Sequence, residues 1–317
     1  MVTLYDHRGE PVKTGQLKEP QTARMAHLHR EFANHPSRGL TPARIARILE
    51  QAEQGDLTAQ AELAEDMEEK DAHLYAELSK RRRAVLARDW DVLPAEDASG
   101  AEKQAAETVA AILRGMDMDS LLLDLAAGIL PGYACIEIEW GRDGSTWAPE
   151  ALHYRPPSWF MTRTDDRDTL RLRTATADGE HLQPWGWIEH RHPAKSGYVA
   201  RGGLVRVLTW PFLFRNYAAR DMAEFLEIYG LPLRLGTYPV GAGDDEKATL
   251  MRAVVGIGHA AAGIIPEGMR IEFQEATTGA SDPFSAMLNW AEKSMSKAIV
   301  GQTLSSDTGD SGGGPFA

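Results

Sequence analysis

The stretch RNYAARDMAEFLEIYGLPLRLGTYP, residues 215–239, changes its periodicity at an internal Gly-Leu-Pro. Before this junction, apolar residues recur every three or four positions, which is typical of one face of an α-helix. These residues are Phe214, Ala218, Met222, Phe225 and Tyr229. The opposing polar face comprises Asn216, Arg220, Glu224 and Glu227. The pattern predicts a helix from near Pro211 to Tyr229, about 28 Å long at 1.5 Å per residue.

The segment after the junction is predicted to form a strand, a helix and a second strand. Gly230 provides the left-handed residue that commonly ends a helix. The first strand begins at Pro232, where leucines alternate with other residues: Leu231, Leu233 and Leu235. The helix lies within DDEKATLMRAVVGIGHAAAG, residues 244–263, whose acidic start suits a helix N-terminus. The second strand is indicated by a further alternation of Met269, Ile271 and Phe273.

Two more elements complete this half of the chain. SDPFSAMLNWAEKSMSKAIV, residues 281–300, is predicted to form another helix. The remaining SSDTGDSGGGPFA is rich in Gly and Ser, a composition typical of flexible segments.

The first 130 residues predict an extended arm followed by helices. Residues 1–40 are polar and show no apolar period, so disorder and wrapping around a partner are both open. Thr41 can cap a helix that has Pro42 in its first turn. A longer helical run extends from Leu57 to about Ala87, with an acidic first half and a basic second half. Two further helices follow, one with a capping box formed by Ser99 and Glu102 and one capped by Asp119.

Residues 133–201 predict an antiparallel sheet. Ala134, Ile136, Ile138 and Trp140 alternate with Cys135, Glu137 and Glu139. A period of two is typical of a strand with one buried and one solvated face. After a turn at GRDG, residues 141–144, further strands are predicted at SWFMTR, LRLRTA and PWGWIEHRH.

Composition limits the class of protein. With 317 residues, of which 43% are hydrophobic, the chain can bury a core and suggests about two domains. The single cysteine, Cys135, excludes a disulfide within the chain and favours a reducing, intracellular origin. No signal core or run of about 20 apolar residues is present, so we expect a soluble protein that is not secreted. A net charge of −12 argues against tight, sequence-independent binding to nucleic acid.

Two stretches imitate catalytic motifs. GIGHAA, residues 256–261, fits the glycine pattern of a dinucleotide-binding loop, and Glu275 lies near the position of a ribose-binding acid. That loop requires a strand before the glycines and a helix after them, whereas here a helix precedes them. GDSGGGP resembles a serine-protease nucleophile loop around Ser311, but no ordered His and Asp partners can be identified. We therefore expect no catalytic residue.

Two other clusters favour ordinary structural roles. His190 and His192 point to one side of a strand, which could suit a metal, but no third ligand is evident nearby. The basic run KRRR, residues 80–83, could contact phosphate together with Arg88. Pairing of this run with the acidic EDMEEKD, residues 65–71, is the better interpretation, because charge runs usually form solvated faces.

The order of these elements resembles that of portal proteins of Mu-like tailed bacteriophages. The resemblance covers most of residues 40–306, and RDMAEFLEIYGLPLRLGTYP and AIVGQTL carry it most specifically. The other matching stretches are LYAELSKRRRAVLARDWDVLP, GYACIEIEW, EKATLMRAVVGIGHAAAGIIPEGMRIEFQEA and SDPFSAMLNWAEKSMSKAIVGQTLSS. Family members usually continue well beyond this length, so we expect a truncated, split or fragmentary portal chain, which puts ring assembly without another chain in doubt.

The resemblance implies an α+β fold divided into wing, stem and clip. An arm, residues 1–40, would precede a wing, residues 41–203, made of helices at 41–130 and an antiparallel sheet at 133–201. A stem helix, residues 204–230, would lead into an α/β clip, residues 231–275. A returning stem helix, residues 276–301, would end in a flexible tail, residues 302–317, that begins a channel loop.

The resemblance also implies a ring of about twelve subunits at one capsid vertex, through which double-stranded DNA is packaged and ejected. The other implied partners are the terminase large subunit, a head–tail adaptor, and a major capsid or scaffold protein. No cofactor and no membrane are implied. The location would be the virion, with assembly in the host cytoplasm.

Specific residues follow from placing these regions on the chain. The hinge between stem and clip would comprise Gly230, Leu231 and Pro232. The clip strands that contact other subunits would include Leu233, Leu235, Met269, Ile271 and Phe273. The residues facing the channel or DNA would include Arg215, Arg220, Lys293 and Lys297.

Two other functions remain as alternatives. An NAD(P)-dependent oxidoreductase would use GIGHAA to bind its cofactor. A head-morphogenesis adaptor would share the phage partners but would form no ring.

Overall fold

A computed structural model describes residues 11, 20–24, 39–144, 146–229, 234–256, 262–266 and 283–303. These residues divide into two compact units. The first unit comprises Met1–Trp210 and Lys293–Ala317, and the second comprises Pro211–Glu292. No helix among the described residues has the length and apolarity needed to cross a membrane.

The first unit begins with helices. They are α1 Pro42–Glu53, α2 Thr58–Lys70, α3 Ala72–Leu86, α4 Gly100–Arg114 and α5 Met118–Ala126. The predicted caps of α1 and α4 are confirmed: Thr41 accepts from the N–H of Arg44, and Ser99 forms a reciprocal capping box with Glu102.

Two helix boundaries differ from the prediction. The long run from Leu57 to Ala87 is broken at Asp71, which adopts an extended conformation and accepts from the N–H groups of His73 and Leu74. Its carboxylate thereby satisfies two backbone donors at the start of α3. Asp117, rather than Asp119, caps α5 by accepting from the N–H of Ser120. Asp119 lies in the first turn of that helix.

Six strands follow in the first unit. They are β1 Tyr133–Asp143, β2 Thr146–Arg155, β3 Phe160–Met161, β4 Arg171–Leu172, β5 Glu180–His181 and β6 Trp187–Arg191. They form two antiparallel sheets of three strands, in the orders β2-β1-β6 and β3-β4-β5. The prediction of antiparallel structure is confirmed, but the single sheet is wrong, and β2 was not predicted because its apolar residues do not alternate.

The predicted solvated face of β1 is also wrong over the first half of the strand. Cys135 and Glu137 are each only 1% exposed, although both lie on the face that was expected to meet water. Cys135 packs in an apolar cluster with Tyr133 and Phe160. Glu137 accepts from Arg155 and from the backbone and hydroxyl of Thr22, so its buried carboxylate is well satisfied.

The segment Gln21–Arg24 forms a short 3-10 helix that is attached to both sheets. The side chain of Gln21 donates to Glu180 and to the carbonyl of His181, and it accepts from the indole of Trp187. Together with the contact between Thr22 and Glu137, these hydrogen bonds fix this part of the predicted arm on the sheets.

The long helix predicted from the opening stretch is α6, Val205–Tyr229. It starts six residues before the predicted first residue, so that Pro211 lies inside the helix rather than at its start. Proline lacks the N–H that would bond to the carbonyl of Val207. Val207 is 55% exposed, so water can satisfy that carbonyl. At 25 residues, α6 is about 37 Å long.

The second unit contains a strand, helix and strand after α6. These elements are β7 Arg234–Tyr238, α7 Asp244–Gly256 and β8 Ala262–Pro266. The two strands are parallel, with Arg234 opposite Ala262 and Tyr238 opposite Pro266. The order strand, helix, strand was predicted, but β8 was not, because Gly263 and Pro266 are poor strand formers. The chain then forms α8, Pro283–Val300, close to its predicted bounds.

Candidate functional site

Within the second unit, α6 and α8 pack side by side through aromatic residues. The rings of Phe214 and Trp290 have centroids 6.1 Å apart, and those of Phe225 and Phe284 are 5.8 Å apart. Because the later residue of α6 contacts the earlier residue of α8, the two helices run antiparallel. The predicted apolar stripe of α6 therefore supplies the contact with α8.

An ion pair accompanies this aromatic contact. Arg215 donates from Nη2 to Oε1 of Glu292 over 3.1 Å, and both side chains are between a quarter and a third exposed. The pair neutralises one of the cations that were predicted to face a channel.

Much of the apolar surface on this helix pair stays open to solvent. Phe225 is 45% exposed and Trp290 is 49% exposed, although each ring contacts the other helix. Leu226 and Met287 are exposed as well. Contiguous exposed apolar surface on a folded chain commonly marks a site of contact with another molecule.

The strand–helix–strand part of the second unit is closely packed at one glycine. A Cβ added to Gly236 in β7 would lie 3.0 Å from side-chain carbons of both Leu250 and Val254 in α7. These two residues are one turn apart on the side of α7 that faces β7. The absence of a side chain at Gly236 thus lets the helix approach the strand.

A cluster of arginines in the first unit was not predicted from the sequence. Glu53 at the end of α1 accepts from Nε and Nη2 of Arg201 over 3.1 and 2.8 Å. The same oxygen accepts from Arg206 over 2.6 Å, and the other oxygen accepts from the hydroxyl of Tyr198 over 3.2 Å. Arg167 also donates to that hydroxyl, over 3.2 Å. Only the run of basic residues between 191 and 206 hints at this cluster in the sequence.

The protonation of Glu53 reflects this environment. Burial by itself would raise the pKa of the Glu53 carboxyl, but hydrogen bonds from Arg201 and Tyr198 and the charge of Arg206 outweigh it, so the pKa lies below its usual value. The carboxylate is therefore ionised at neutral pH, and it holds two guanidinium groups together.

Comparison with known proteins relates these features to a family. A family model described as the portal protein of Mu bacteriophage matches residues 61–315. The chain belongs to this family. The resemblance noted from the sequence is thus confirmed, as is the α+β class of the fold.

Two relatives extend this match over nearly the whole chain. The portal protein of Escherichia phage Mu is 50% identical over 313 residues, which cover 98% of this chain and 61% of the phage protein. The Mu-like prophage FluMu protein gp29 of Haemophilus influenzae is 51% identical over 307 residues, which cover 96% of this chain and 59% of that protein. The chain spans about three fifths of the length of these relatives.

The residues expected at the stem–clip hinge of a portal protein, Gly230, Leu231 and Pro232, lie outside the described residues. The same is true of Leu233, Met269, Ile271 and Phe273. Leu235 lies in β7, where it pairs with Gly263 of β8. The contact roles of these residues therefore remain predictions.

The four cations expected to face DNA in a portal channel have different environments. Arg215 is paired with Glu292. Arg220 is 67% exposed, pairs with Asp221 and stacks on the ring of Tyr217 at 5.1 Å. Lys293 and Lys297 are exposed on α8, in the part that belongs to the first unit. Their roles in a channel also remain predictions.

The position of GIGHAA contradicts the dinucleotide-binding alternative. The helix α7 ends at Gly256, the first residue of the motif, and the strand β8 begins at Ala262, directly after it. A dinucleotide-binding loop has the opposite order, strand and then helix, because the helix N-terminus must face the pyrophosphate. Residues 257–261 themselves lie outside the described part of the chain.

The two histidines that could have suited a metal have another environment. Burial lowers the pKa of both His190 and His192, and the charge of Arg81 lowers that of His192 further. Nη2 of Arg81 lies 3.2 Å from Nε2 of His192. Among the residues that the structure describes, no group of three or more His, Cys, Asp and Glu side chains could hold a metal ion.

The basic run at residues 80–83 pairs with acidic residues, as predicted. Arg82 forms a bidentate ion pair with Glu68, in which Nη2 donates to Oε2 over 2.8 Å. Lys80 pairs with Glu77 one turn earlier on α3. Arg81 donates to the carbonyl of Ile299 at the end of α8.

Proposed function

We propose that this chain forms part of a bacteriophage portal, a ring at one capsid vertex through which double-stranded DNA is packaged and ejected. Family membership, with 50% identity to the portal protein of phage Mu over 98% of the chain, carries this proposal. The ring would consist of about twelve copies. It would have no catalytic activity of its own, which agrees with the structural rather than enzymatic character of the family.

The regions of a portal subunit are assigned to the chain as follows. Residues 41–203 are the wing, after an arm at 1–40. Residues 204–230 and 276–301 are the two stem helices, an assignment supported by the antiparallel contacts between α6 and α8. Residues 231–275 are the clip, and residues 302–317 begin the channel loop.

The clip joins neighbouring subunits through its sheet in this proposal. The pair β7 and β8 is parallel, and two strands alone are rarely stable in water. Parallel strands also normally lie in larger sheets that are covered on both faces. Strands from neighbouring copies would extend the sheet and remove its exposed edges.

The stem presents few free cations to DNA. Lys293 and Lys297 are exposed candidates, whereas the exposed Arg220 pairs with Asp221 and Arg215 pairs with Glu292. A net charge of −12 keeps the attraction to phosphate weak. Weak attraction suits a channel through which DNA must move.

The partners of this ring follow from its place in the virion. During assembly in the host cytoplasm, the terminase large subunit docks on the clip and a major capsid or scaffold protein surrounds the wing. A head–tail adaptor then replaces the terminase. The adaptor alternative, in which the chain itself is a head-morphogenesis protein without a ring, has the same partners.

Imaging of the purified protein tests the ring and separates it from the adaptor. Negative-stain electron microscopy at several protein concentrations is expected to show rings with a central hole. Monomers alone at every concentration would contradict the proposal that this chain assembles by itself.

Substitutions of two glycines, imaged in the same way, test the proposed hinge between stem and clip. Gly230→Val is expected to abolish rings, because a β-branched residue disfavours the left-handed conformation that ends a helix. Gly256→Ala, at the end of α7, is the control and is expected to leave rings intact. Equally mild effects of the two substitutions would remove the hinge assignment and leave the ring itself untouched.

A further inference from the structure

The ring of Tyr198 organises two arginines in the first unit. The guanidinium carbons of Arg167 and Arg201 each lie 5.0 Å from the centre of this ring. The two carbons cannot be farther apart than twice that distance. Contact with an aromatic face restricts a guanidinium and leaves its N–H edge available for hydrogen bonds.

Both arginines keep donors that no described hydrogen bond uses. Arg167 donates from Nε to the carbonyl of Thr164 and from Nη1 to the hydroxyl of Tyr198. Arg201 donates from Nε and Nη2 to Glu53. In this part of the structure, Nη2 of Arg167 and Nη1 of Arg201 are therefore available to a ligand.

Arg206 has a different role from the other two arginines. Its side chain is 21% exposed, and it donates to Glu53 and, over longer distances, to Leu49 and Gln60 of the neighbouring helices. It therefore holds α6 to α1 and α2. It adds its charge to the cluster, but little of its side chain is accessible to a ligand.

The cluster carries more positive than negative charge. Glu53 pairs with both Arg201 and Arg206, and Arg167 lies between Asp166 and Asp168 in the sequence. A further cation, the exposed Lys195, follows Ala194, whose N–H donates to the carbonyl of Gly202. Four cations against these three anions leave a small surplus of positive charge on a chain whose net charge is −12.

We propose that Arg167, Tyr198 and Arg201 form a contact site for the phosphate backbone of double-stranded DNA. A guanidinium can donate two parallel hydrogen bonds to one phosphate, which makes arginine well suited to this ligand. The guanidinium carbons of the two arginines are at most about 10 Å apart, which lets them contact neighbouring phosphates of one duplex. The choice of DNA rather than another anion rests on the proposed portal function, but the site lies outside the stem helices.

Binding to DNA tests this site directly. The probe is a fluorescently labelled 20-base-pair duplex, and anisotropy is measured from about 50 to 200 mM salt, the range in which phosphate contacts weaken most visibly. The double variant Arg167→Ala with Arg201→Ala is expected to bind about tenfold more weakly at low salt. Its slope of log affinity against log salt is expected to fall by about two, because each phosphate contact contributes about 0.9.

Matched variants separate the site from general charge and from folding. Arg142→Ala removes an exposed arginine that, among the described residues, donates to the carbonyl of Gly144, and it is expected to change affinity less than twofold. Arg167→Glu leaves the pairs of Glu53 intact, so it tests the site even if loss of Arg201 destabilises the chain. It is expected to weaken binding at least as much as the double alanine variant.

Two results would overturn the proposal. The first is an unchanged affinity and salt slope in Arg167→Glu. The second is that polyglutamate displaces the labelled duplex as well as unlabelled DNA does at an equal concentration of negative charge. That result would assign the cluster to binding an acidic protein segment. Electron microscopy of the same variants measures ring formation independently of DNA binding. If DNA binding is unchanged while rings form normally, the DNA-contact site is wrong but the proposed portal function is not.

Discussion

The two units differ in how deeply they bury aromatic residues that pair with other rings. In the first unit, Tyr133 and Phe160 are at most 1% exposed, and they pack edge to face with ring centroids 6.2 Å apart. In the second unit, Phe225 and Trp290 also pair with other rings but remain nearly half exposed. This aromatic pair of the first unit thus lies in a core, whereas the aromatic pairs of the second unit lie at a surface that suits contact with other chains.

The charged groups of the two units differ in the same way. Glu137 in the first unit is 1% exposed and pairs with Arg155 over 2.7 Å. The corresponding pair in the second unit, Arg215 and Glu292, remains partly in water. A buried pair is costly to break, because the remaining charge loses its partner, while a surface pair contributes little.

The largest expected effect compares two glycines with nearly the same φ angle. Gly132 in the first unit has φ +106°, and Gly241 in the second has φ +101°. A Cβ on Gly132 would lie 2.6 Å from the backbone nitrogen of Gly203, whereas a Cβ on Gly241 meets nothing within 4 Å. Gly132→Ala is expected to prevent folding, and Gly241→Ala to cost about 1–2 kcal/mol through backbone strain alone.

Circular dichroism and urea unfolding of the two glycine variants measure this difference. Because both variants have a similar unfavourable φ, an excess effect at Gly132 is assigned to the close approach of the backbone of Gly202 and Gly203. Similar stabilities of the two variants would mean that the first unit is as loosely packed at this point as the second.

A smaller effect compares the same substitution in the two units. Phe160→Ala removes a fully buried ring and is expected to cost about 3–5 kcal/mol. Phe225→Ala removes a ring that is 45% exposed, and it is expected to cost about 1 kcal/mol, mainly from the lost contact with Phe284. The free energy of unfolding in urea measures both variants in the isolated chain.

Ring assembly distinguishes these two phenylalanines in another way than the free energy of unfolding does. If the open surface of the second unit contacts neighbouring copies, Phe225→Ala weakens ring formation even though it barely changes the stability of the chain. Equal losses of unfolding free energy would show that Phe225 belongs to a complete core, and the contrast between the units would then disappear.

Structural features that depend on neighbouring residues were predicted better than contacts between residues far apart in the sequence. The caps at Thr41 and Ser99 were found because each lies within three residues of its backbone partner. The bounds of α8 and the order of β7 and α7 followed from periodicity. By contrast, the break at Asp71 was missed because apolar residues continue through it with helical spacing.

Features that depend on distant residues could not be read from the pattern. The second face of β1 is covered in part by Thr22, which is 115 residues from Glu137. The arginine cluster joins Glu53 to Arg201 across 148 residues. Both were missed for the same reason: a local period predicts a helix or a strand, but it does not say which distant segment packs against it.

The smallest expected effect concerns two glutamates of the first unit whose pKa values are shifted in opposite directions. The pKa of Glu65 is raised by burial and by the neighbouring carboxylates of Glu69, Glu62, Asp66 and Glu68. The pKa of Glu53 is lowered, because its arginine and tyrosine partners outweigh its burial. The two carboxylates therefore affect the stability of the same unit with opposite signs.

The signs follow from proton binding. Just above pH 4.5, folded Glu65 retains protons that the unfolded chain has lost, so its contribution to stability falls as pH rises. Glu65→Gln removes this penalty and is expected to stabilise the chain at pH 7 by only a few tenths of a kcal/mol, since the residue also contacts solvent, which screens its charge. Glu53→Gln is expected to destabilise it by up to about 1 kcal/mol, a loss that vanishes as acid protonates Glu53 in the parent chain.

Melting temperatures of both variants and the parent, recorded at pH 7 and at pH 4, measure these differences. The advantage of Glu65→Gln is expected to disappear at pH 4, where Glu65 is protonated in the folded parent. If Glu65→Gln lowers the melting temperature at pH 7, the acidic face of α2 has a cationic partner outside those described. The acidic residues on the surface of the first unit would then also need a further partner, as the exposed apolar residues of the second unit do.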